Sequence, residues 1–305
     1  MNPKTTLTTL ALCALGGLGS AQAQEARYFN PVTTAVPSLQ IRTDARAAGM
    51  GDIGVSSTPD PYSQHWNPAK FAFINSKAGV SVGYTPWLSR LVSDIALMQV
   101  GGYFKLGNEG NQAIGASLRY FTMGKLTAWD ATGKSLGEAH PNEFAIDASY
   151  SRKLSSDFSL AVALRYIHSD QGIREQGDRP GSAFAADIAG YHQKYVTIGE
   201  AECLWTSGFN IRNIGTKISF DGGATSSFIP TNLGLGTGLL YPIDKENMLS
   251  INLEANKLLV PTPPIGDATK FADYQKTSAI AGIFKSFGDA PEGFSEELKE
   301  IRWSL

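Results

Sequence analysis

The sequence predicts an all-β protein: a transmembrane antiparallel β-barrel preceded by an N-terminal plug segment. Three observations carry this. From Ala78 onward the dominant hydrophobic period is two residues, as on a sheet with unlike faces. Several of these runs last about ten residues or more, the length a tilted strand needs to cross a bilayer, whereas strands of soluble sandwiches cluster near about five to six. The connections between runs mostly alternate short and long, as in barrels with tight turns at one end and extended loops at the other.

Residues 1–23 read as a secretory signal peptide. Lys4 supplies the positive start, Leu7 to Leu18 the apolar run, and Ala21-Gln22-Ala23 the small-residue cleavage site, so the mature chain is expected to begin at Gln24. The apolar run is too short to anchor the chain as a membrane helix. Cleavage leaves Cys203 as the only cysteine, which excludes an intrachain disulfide, a cysteine-based zinc site and a redox pair. The net charge of −2 gives no reason to expect a nucleic-acid partner. A hydrophobic content of 42% and a mean hydropathy of −0.13 would suit a soluble protein, yet alternating barrel strands also keep the average low.

Residues 24–76 are expected to form the plug. Between Arg42 and Ala72 no strand alternation is sustained, and small residues (Ala45, Ala47, Ala48, Gly49, Gly51, Gly54) stand beside Arg42, Asp44, Arg46 and Asp52. Small residues let backbone approach backbone, and charges in a narrow space need partners. Pro59, Pro61 and Pro68 remove donors and fix φ.

Residues 77–305 are assigned to the barrel. Ile114, Ala116, Leu118 and Tyr120 alternate with Gly115, Ser117 and Arg119, and the same pattern recurs over 143–150, 158–166 and 249–256. From Leu233 to Tyr241 the second face is glycine: Gly234, Gly236 and Gly238. Aromatic residues near the ends of the apolar faces (Tyr84, Trp87, Tyr120, Tyr150, Phe158, Tyr166, Tyr241) suit girdles at two interfaces. Short connections are expected at 107–111, 154–157 and 242–247, and long ones at 125–142, 170–182, 215–231 and 259–276, the long set facing the cell surface. About ten strands are expected, with another beginning at Ile301 to Leu305, and single-chain barrels close with an even number. Pro291 to Glu300 reads as a short helix capped by Ser295, placed by this register on the periplasmic side.

Catalytic signatures are thin. The sequence has no G-x-S-x-G elbow, H-E-x-x-H or phosphate loop, and no metal or cofactor site is expected. His65, His140, His168 and His192 are each isolated. Glu200 and Glu202, or Asp147 facing Arg119 and Arg165, suit inward charge networks of a polar barrel interior.

Two motifs in order, A-R-A-A-G-M-G-D (Ala45 to Asp52) and W-N-P-A (Trp66 to Ala69), just before the first strand, resemble the N-terminal signature of FadL-like outer-membrane barrels. The lead-in through Asn30-Pro31-Val32, Ser38-Leu39-Gln40-Ile41 and Arg42-Thr43-Asp44, with Ser63-Gln64-His65-Trp66-Asn67-Pro68-Ala69-Lys70, resembles the PorV (LptO) family of type IX secretion within it. The resemblance implies a barrel of about fourteen strands, so the last strands are expected to be absent from this chain. It also implies a Gram-negative outer-membrane location and a role in binding the C-terminal signal domain of secreted cargo. The implied partners are that cargo, the SprA/Sov translocon, the PorU sortase, lipopolysaccharide and outer-membrane lipid. Arg42, Asp44, Arg46, Gly49, Gly51, Asp52, Trp66, Asn67 and Pro68 then form the plug motif, either a static stopper or a movable gate.

Cargo recognition would fall to the long loops. Trp129, the pair Phe228 and Ile229, and Leu259, Val260, Pro261, Pro263 and Pro264 are the candidates, since apolar residues on stiff loops lose little entropy on binding. The same residues suit packing in the barrel mouth. Two other functions remain open: a FadL-like transporter of hydrophobic compounds, and a lipid A O-deacylase, whose nucleophile and base the sequence does not display.

Overall fold

A computed structural model describes residues 31–88, 94–107, 109–129, 132–172, 178–264, 267–290 and 293–305, and its compact unit runs from Val32 to Leu305. The expected signal peptide and residues 24–30 of the expected plug lie outside the described residues.

Among the described residues twelve strands follow the plug: β1 (Ala78–Pro86), β2 (Ile95–Leu106), β3 (Gln112–Met123), β4 (Leu126–Trp129), β5 (Ser135–Ala139), β6 (Asn142–Lys153), β7 (Phe158–Asp170), β8 (Gly181–Ile198), β9 (Ala201–Gly215), β10 (Asn232–Pro242), β11 (Met248–Leu258) and β12 (Arg302–Ser304). All but β4 and β5 form one sheet in the order β1-β2-β3-β6-β7-β8-β9-β10-β11-β12, each strand antiparallel to its neighbour. Its long strands run from 9 residues in β1 to 18 in β8. β4 and β5 make a separate hairpin inside the connection from β3 to β6.

The sheet's faces are inverted relative to a water-soluble sheet. Val80 is 74% exposed and Leu164 68%, in company with Ile114, Leu118, Ile146, Val162 and Ile251. The opposite face buries Arg119, Asp147, Arg165, Asp187, Asn210, Arg212 and Glu254. Aromatic residues bracket the apolar face. Tyr84, Tyr120, Phe144, Tyr166 and Phe184 stand toward the end carrying the β3 to β6 connection, and Phe104, Tyr150, Tyr195, Trp205 and Tyr241 toward the other. Phe144, Tyr166 and Phe184 form a cross-strand ladder with ring centroids 6.0 and 5.3 Å apart.

The sheet is rolled around the plug. Its ten strands laid flat would place β1 and β12 about 43 Å apart at the usual strand spacing. Yet the Arg42 carbonyl accepts a bond from Thr85 Oγ1 on β1 (3.3 Å), while the Arg42 side chain shares a cavity with Arg302 on β12. One residue bridges both only if the sheet curls. Among the described residues no pairing joins β1 to β12.

Connections at one end of the sheet are short (107–111, 154–157, 199–200, 243–247) and at the other long (87–94, 124–141, 171–180, 216–231, 259–301). Two expectations are corrected at the last of these. With α1 (Ala45–Gly49) and α2 (Ser63–Trp66) in the plug, α3 (Ala268–Lys276) lies in the expected long connection 259–276, and the strand expected to follow that connection is replaced by a helix, α4 (Ala279–Lys285). The run Ala279-Ile280-Ala281-Gly282-Ile283-Phe284 is a short apolar stretch whose state periodicity cannot decide, and Ser278 caps it as a helix by accepting from Ala281 N at 3.3 Å. The main sheet therefore counts ten strands with β12 included. One strand fewer reverses the parity, so α5 (Phe294–Lys299) lies at the long-connection end and not with the short turns. Its N-cap is Gly293, at φ 76°, and Ser295 stands inside the helix. Pro291 and Glu292 lie outside the described residues.

Candidate functional site

The plug descends along the inner face from the long-connection end to the short one. Val36 and Leu39 pack with Ile218 and Ile229 near the long connections; Phe71 and Ile74 pack with Tyr103 and Ala113 near the short turns. Between them lie α1 (Ala45–Gly49) and α2 (Ser63–Trp66), followed by a 3₁₀ turn over Pro68–Phe73.

The two motifs meet in space. Asp44 caps α1, accepting from Arg46 N at 2.9 Å, and its other oxygen accepts from Trp66 Nε1 at 3.3 Å. The Trp66 indole lies flat against Gly54, where a Cβ would come within 2.0 Å of the ring. Arg42 stacks over the same indole at 4.9 Å. Arg46 closes the intervening loop through Asp60 (2.8 Å) and Thr58. Gly51 and Asp52 both take positive φ, 72° and 65°, turning the chain after α1, while Gly49 is exposed with open space around it.

Asn67 is the most fully used side chain of the set. Its amide nitrogen donates to Val55 O and Gly190 O, both at 2.9 Å, and its oxygen accepts from Ala69 N at 3.1 Å, with Pro68 next at a position that needs no donor. The loop after α1 is fastened from the far wall: Gly54 N and Val55 N both donate to Glu254 Oε2 on β11 at 2.9 Å. Lys70, fully buried, donates to Gly54 O (2.9 Å) and Ser57 Oγ (3.0 Å), and burial draws its pKa below the ordinary lysine value. The glycine face of β10 is explained here, because Gly236 abuts Ser56, whose Oγ would lie 2.7 Å from an added Cβ.

The wall answers with buried polar groups. Gln64 donates to Asp147 and accepts from Ser149 Oγ at 2.6 Å. Arg165 binds Asp187 through both terminal nitrogens (3.1 and 2.9 Å) and Asp147 through Nε (3.4 Å). Arg119, expected to face Asp147, donates instead to His65 Nδ1 (2.7 Å) and to the carbonyls of Ser38 and Ile41. Arg212 donates to the His65 carbonyl at 3.3 Å, its Nη1 equally close to the ring's Nε2. Burial first, and then the positive charges of Arg119 and Arg212, hold His65 well below its ordinary pKa. Glu200 and Glu202, expected to point inward, are exposed around the short β8–β9 turn. Gln64, His65, Lys70, Asn210, Arg212 and Glu254 complete the site without having been singled out as plug-motif residues; their signal was a polar side chain at an inward strand position or beside Trp66-Asn67-Pro68.

The loop candidates divide. Trp129, at the end of β4, is 62% exposed. Phe228, Ile229, Leu259, Val260 and Pro261 are buried, and Pro263 and Pro264 half-buried. Phe228 sits edge-on to Tyr274 of α3 (5.4 Å) and against Gly282 of α4, so it joins two long connections to each other. The remaining histidines are apart from this cluster: His140 is exposed, His168 stacks near Phe144 at 5.0 Å, and His192 meets Trp205 edge-on at 5.3 Å. Cys203 is a buried free thiol.

No curated protein matches the chain. A family model described as type IX secretion system protein PorV matches residues 22–265, a stretch that takes in the described plug and β1 through β11. The chain belongs to the PorV family of type IX secretion system proteins.

Proposed function

We propose that this protein is an outer-membrane component of type IX secretion that binds the C-terminal signal domain of secreted cargo at its long-connection end. From there it passes the cargo from the SprA/Sov translocon to the PorU sortase for attachment to lipopolysaccharide, with no catalytic step of its own. The rolled sheet is read as the wall of a β-barrel in lipid. Its exposed face is apolar and bracketed by aromatic residues, and its strands have spanning length. Among the described residues no helix is long and apolar enough to cross a membrane.

The observation that carries the cargo reading is an apolar platform beyond the wall. Phe271 of α3 and Ile280 and Phe284 of α4 are exposed, Phe284 at 75%, all in one long connection, and Trp129 projects from another. Buried Phe228 and Pro261 hold the platform from beneath, so little order remains to be imposed when a partner docks. The inner face, filled by a plug bonded through charged and amide groups, supports a fixed stopper over a channel for hydrophobic compounds.

The test is a pull-down of the full-length, detergent-solubilised protein from cells expressing secreted substrates, with residues 128–138 or 268–286 replaced by short Gly-Ser turns. Retention of substrates through their C-terminal domains, lost with either replacement, is expected. Equal retention by both variants would remove the platform from the mechanism.

A further inference from the structure

We infer that the inner face holds, at its long-connection end, a site for the carboxylate of an acidic peptide segment, formed by Arg42 of the plug, Arg212 of β9 and Arg302 of β12. The three side chains line one cavity of about 90 Å³ together with Asn232 and Asn256. They come from three separate parts of the chain, so no local rule of strand or helix formation explains the convergence.

Glu300 also lines this cavity, but the carboxylates near the three arginines are engaged with other groups or too distant to bond. Glu300 accepts from Lys257 Nζ at 2.6 Å. Asp187 is held by both terminal nitrogens of Arg165. Asp52 comes only to 3.9 Å from Arg42 Nε, too far for a hydrogen bond. Arg212 is 6% exposed, and its Nε has no hydrogen-bond partner among the described residues; Arg42 Nε is in the same position. A buried guanidinium N–H without an acceptor is costly, and three arginines against one carboxylate, Glu300, line this cavity. The Arg42 pKa is drawn down to about 9, by burial first and then by Arg212 and Arg302, whose repulsion outweighs the attraction of Asp52.

The chemistry of the occupant follows from the site. Guanidinium forks match planar oxyanions with two parallel bonds. The cavity takes one such group and not a large ligand, and the asparagine amides beside it suit the backbone that carries it. Arg212 and Arg302 project to the inner side of the wall, away from the apolar outer face, so the anion arrives through the mouth and not from surrounding lipid. The geometry of the site is independent of the cargo reading.

The experiment uses the full chain in detergent micelles at low ionic strength. The probe is a fluorescent N-acylated Gly-Glu-Glu-Gly amide followed by anisotropy, with its Gln-Gln counterpart and inorganic phosphate as comparison arms. Saturable binding of the Glu-Glu peptide is expected, weakened about tenfold or more by Arg302→Gln and by Arg42→Gln, as loss of a charge-assisted bond implies. Lys245→Gln, in a short turn at the opposite end, is expected to bind as the parent does. Arg302 is exposed on a three-residue edge strand, so its replacement reports on binding even if Arg42→Gln perturbs the plug. Equal binding by Arg302→Gln and the parent, equal binding of the Gln-Gln peptide, or phosphate binding without peptide binding would each overturn the proposal.

Discussion

At the scale of single residues, the plug is fixed by side chains that each satisfy several backbone groups. Asn67 joins the plug to its own loop and to β8; Lys70 and Glu254 hold opposite ends of the peptide units around Gly54. His65 accepts from Arg119 and is flanked by Arg212, so its ring serves as a neutral acceptor between two cations. The arginines Arg42 and Arg165 add to the same positive surroundings. The folded-state pKa lies below the unfolded value, so the contribution of His65 is complete above about pH 6.5 and lost as pH falls towards the folded value. Stability is therefore expected to decline on acidification below pH 6.5, with His65 accounting for up to about 1.4 kcal/mol per pH unit. Thermal unfolding of the parent and of His65→Gln between pH 7.5 and 5 measures it: the variant should show the shallower dependence, and identical slopes would show that His65 does not set it.

At the scale of elements, α5 shows how a charged residue is accommodated on the outer face. Lys257 occupies an outward position of β11, in register with Leu253 and Ala255, where an unpaired ammonium would meet the apolar surface. Glu297 and Glu300 reach it at 2.8 and 2.6 Å, and this clamps α5 against the wall, where its Leu298 lines one cavity with Leu233 and Leu235 of β10. Net of its burial, the bond to Lys257 draws the Glu297 pKa below the ordinary carboxylate value. Lys257→Met is expected to free α5, seen as faster amide hydrogen exchange over 294–300 with exchange in β9 and β10 unchanged. Unaltered exchange in α5 would mean that apolar packing alone holds it.

At the scale of the whole molecule, the inverted faces decide how the protein responds to an outward charge. Leu164 lies midway along β7, paired with Ala148 and Ala186. In a wall bathed by lipid, Leu164→Arg is expected to cost about 2–4 kcal/mol, whereas a comparable change on a water-exposed surface stays within about 0.5 kcal/mol. Equilibrium unfolding from lipid bilayers distinguishes the two, and a near-neutral result would remove the outer face from the membrane. The same inversion explains why composition was silent: exposed apolar and buried polar residues are equally counted, and only their alternation separates them.

Much of this was legible in the residues themselves. Alternation over 114–120, 143–150, 158–166 and 249–256 located strands and told their two faces apart, because side-chain direction follows a fixed period of two along an extended chain. Trp66-Asn67-Pro68 and the small residues around Gly49 marked the plug and its family. What the sequence left undecided depended on contacts between distant segments. Ala279 to Lys285 is a helix and not a strand, a choice that an isolated apolar run does not make and that reverses the end at which α5 sits. Phe228 is buried against Tyr274 and Gly282 of another long connection, and Ile229 against Val36 and Leu39 of the plug. Arg119 binds the plug and not Asp147, and Arg42, Arg212 and Arg302 gather at one mouth, only because the sheet rolls. Period is a property of neighbours along the chain and can be read from it; convergence is a property of curvature, which places side chains from opposite ends of a sheet within reach of one another.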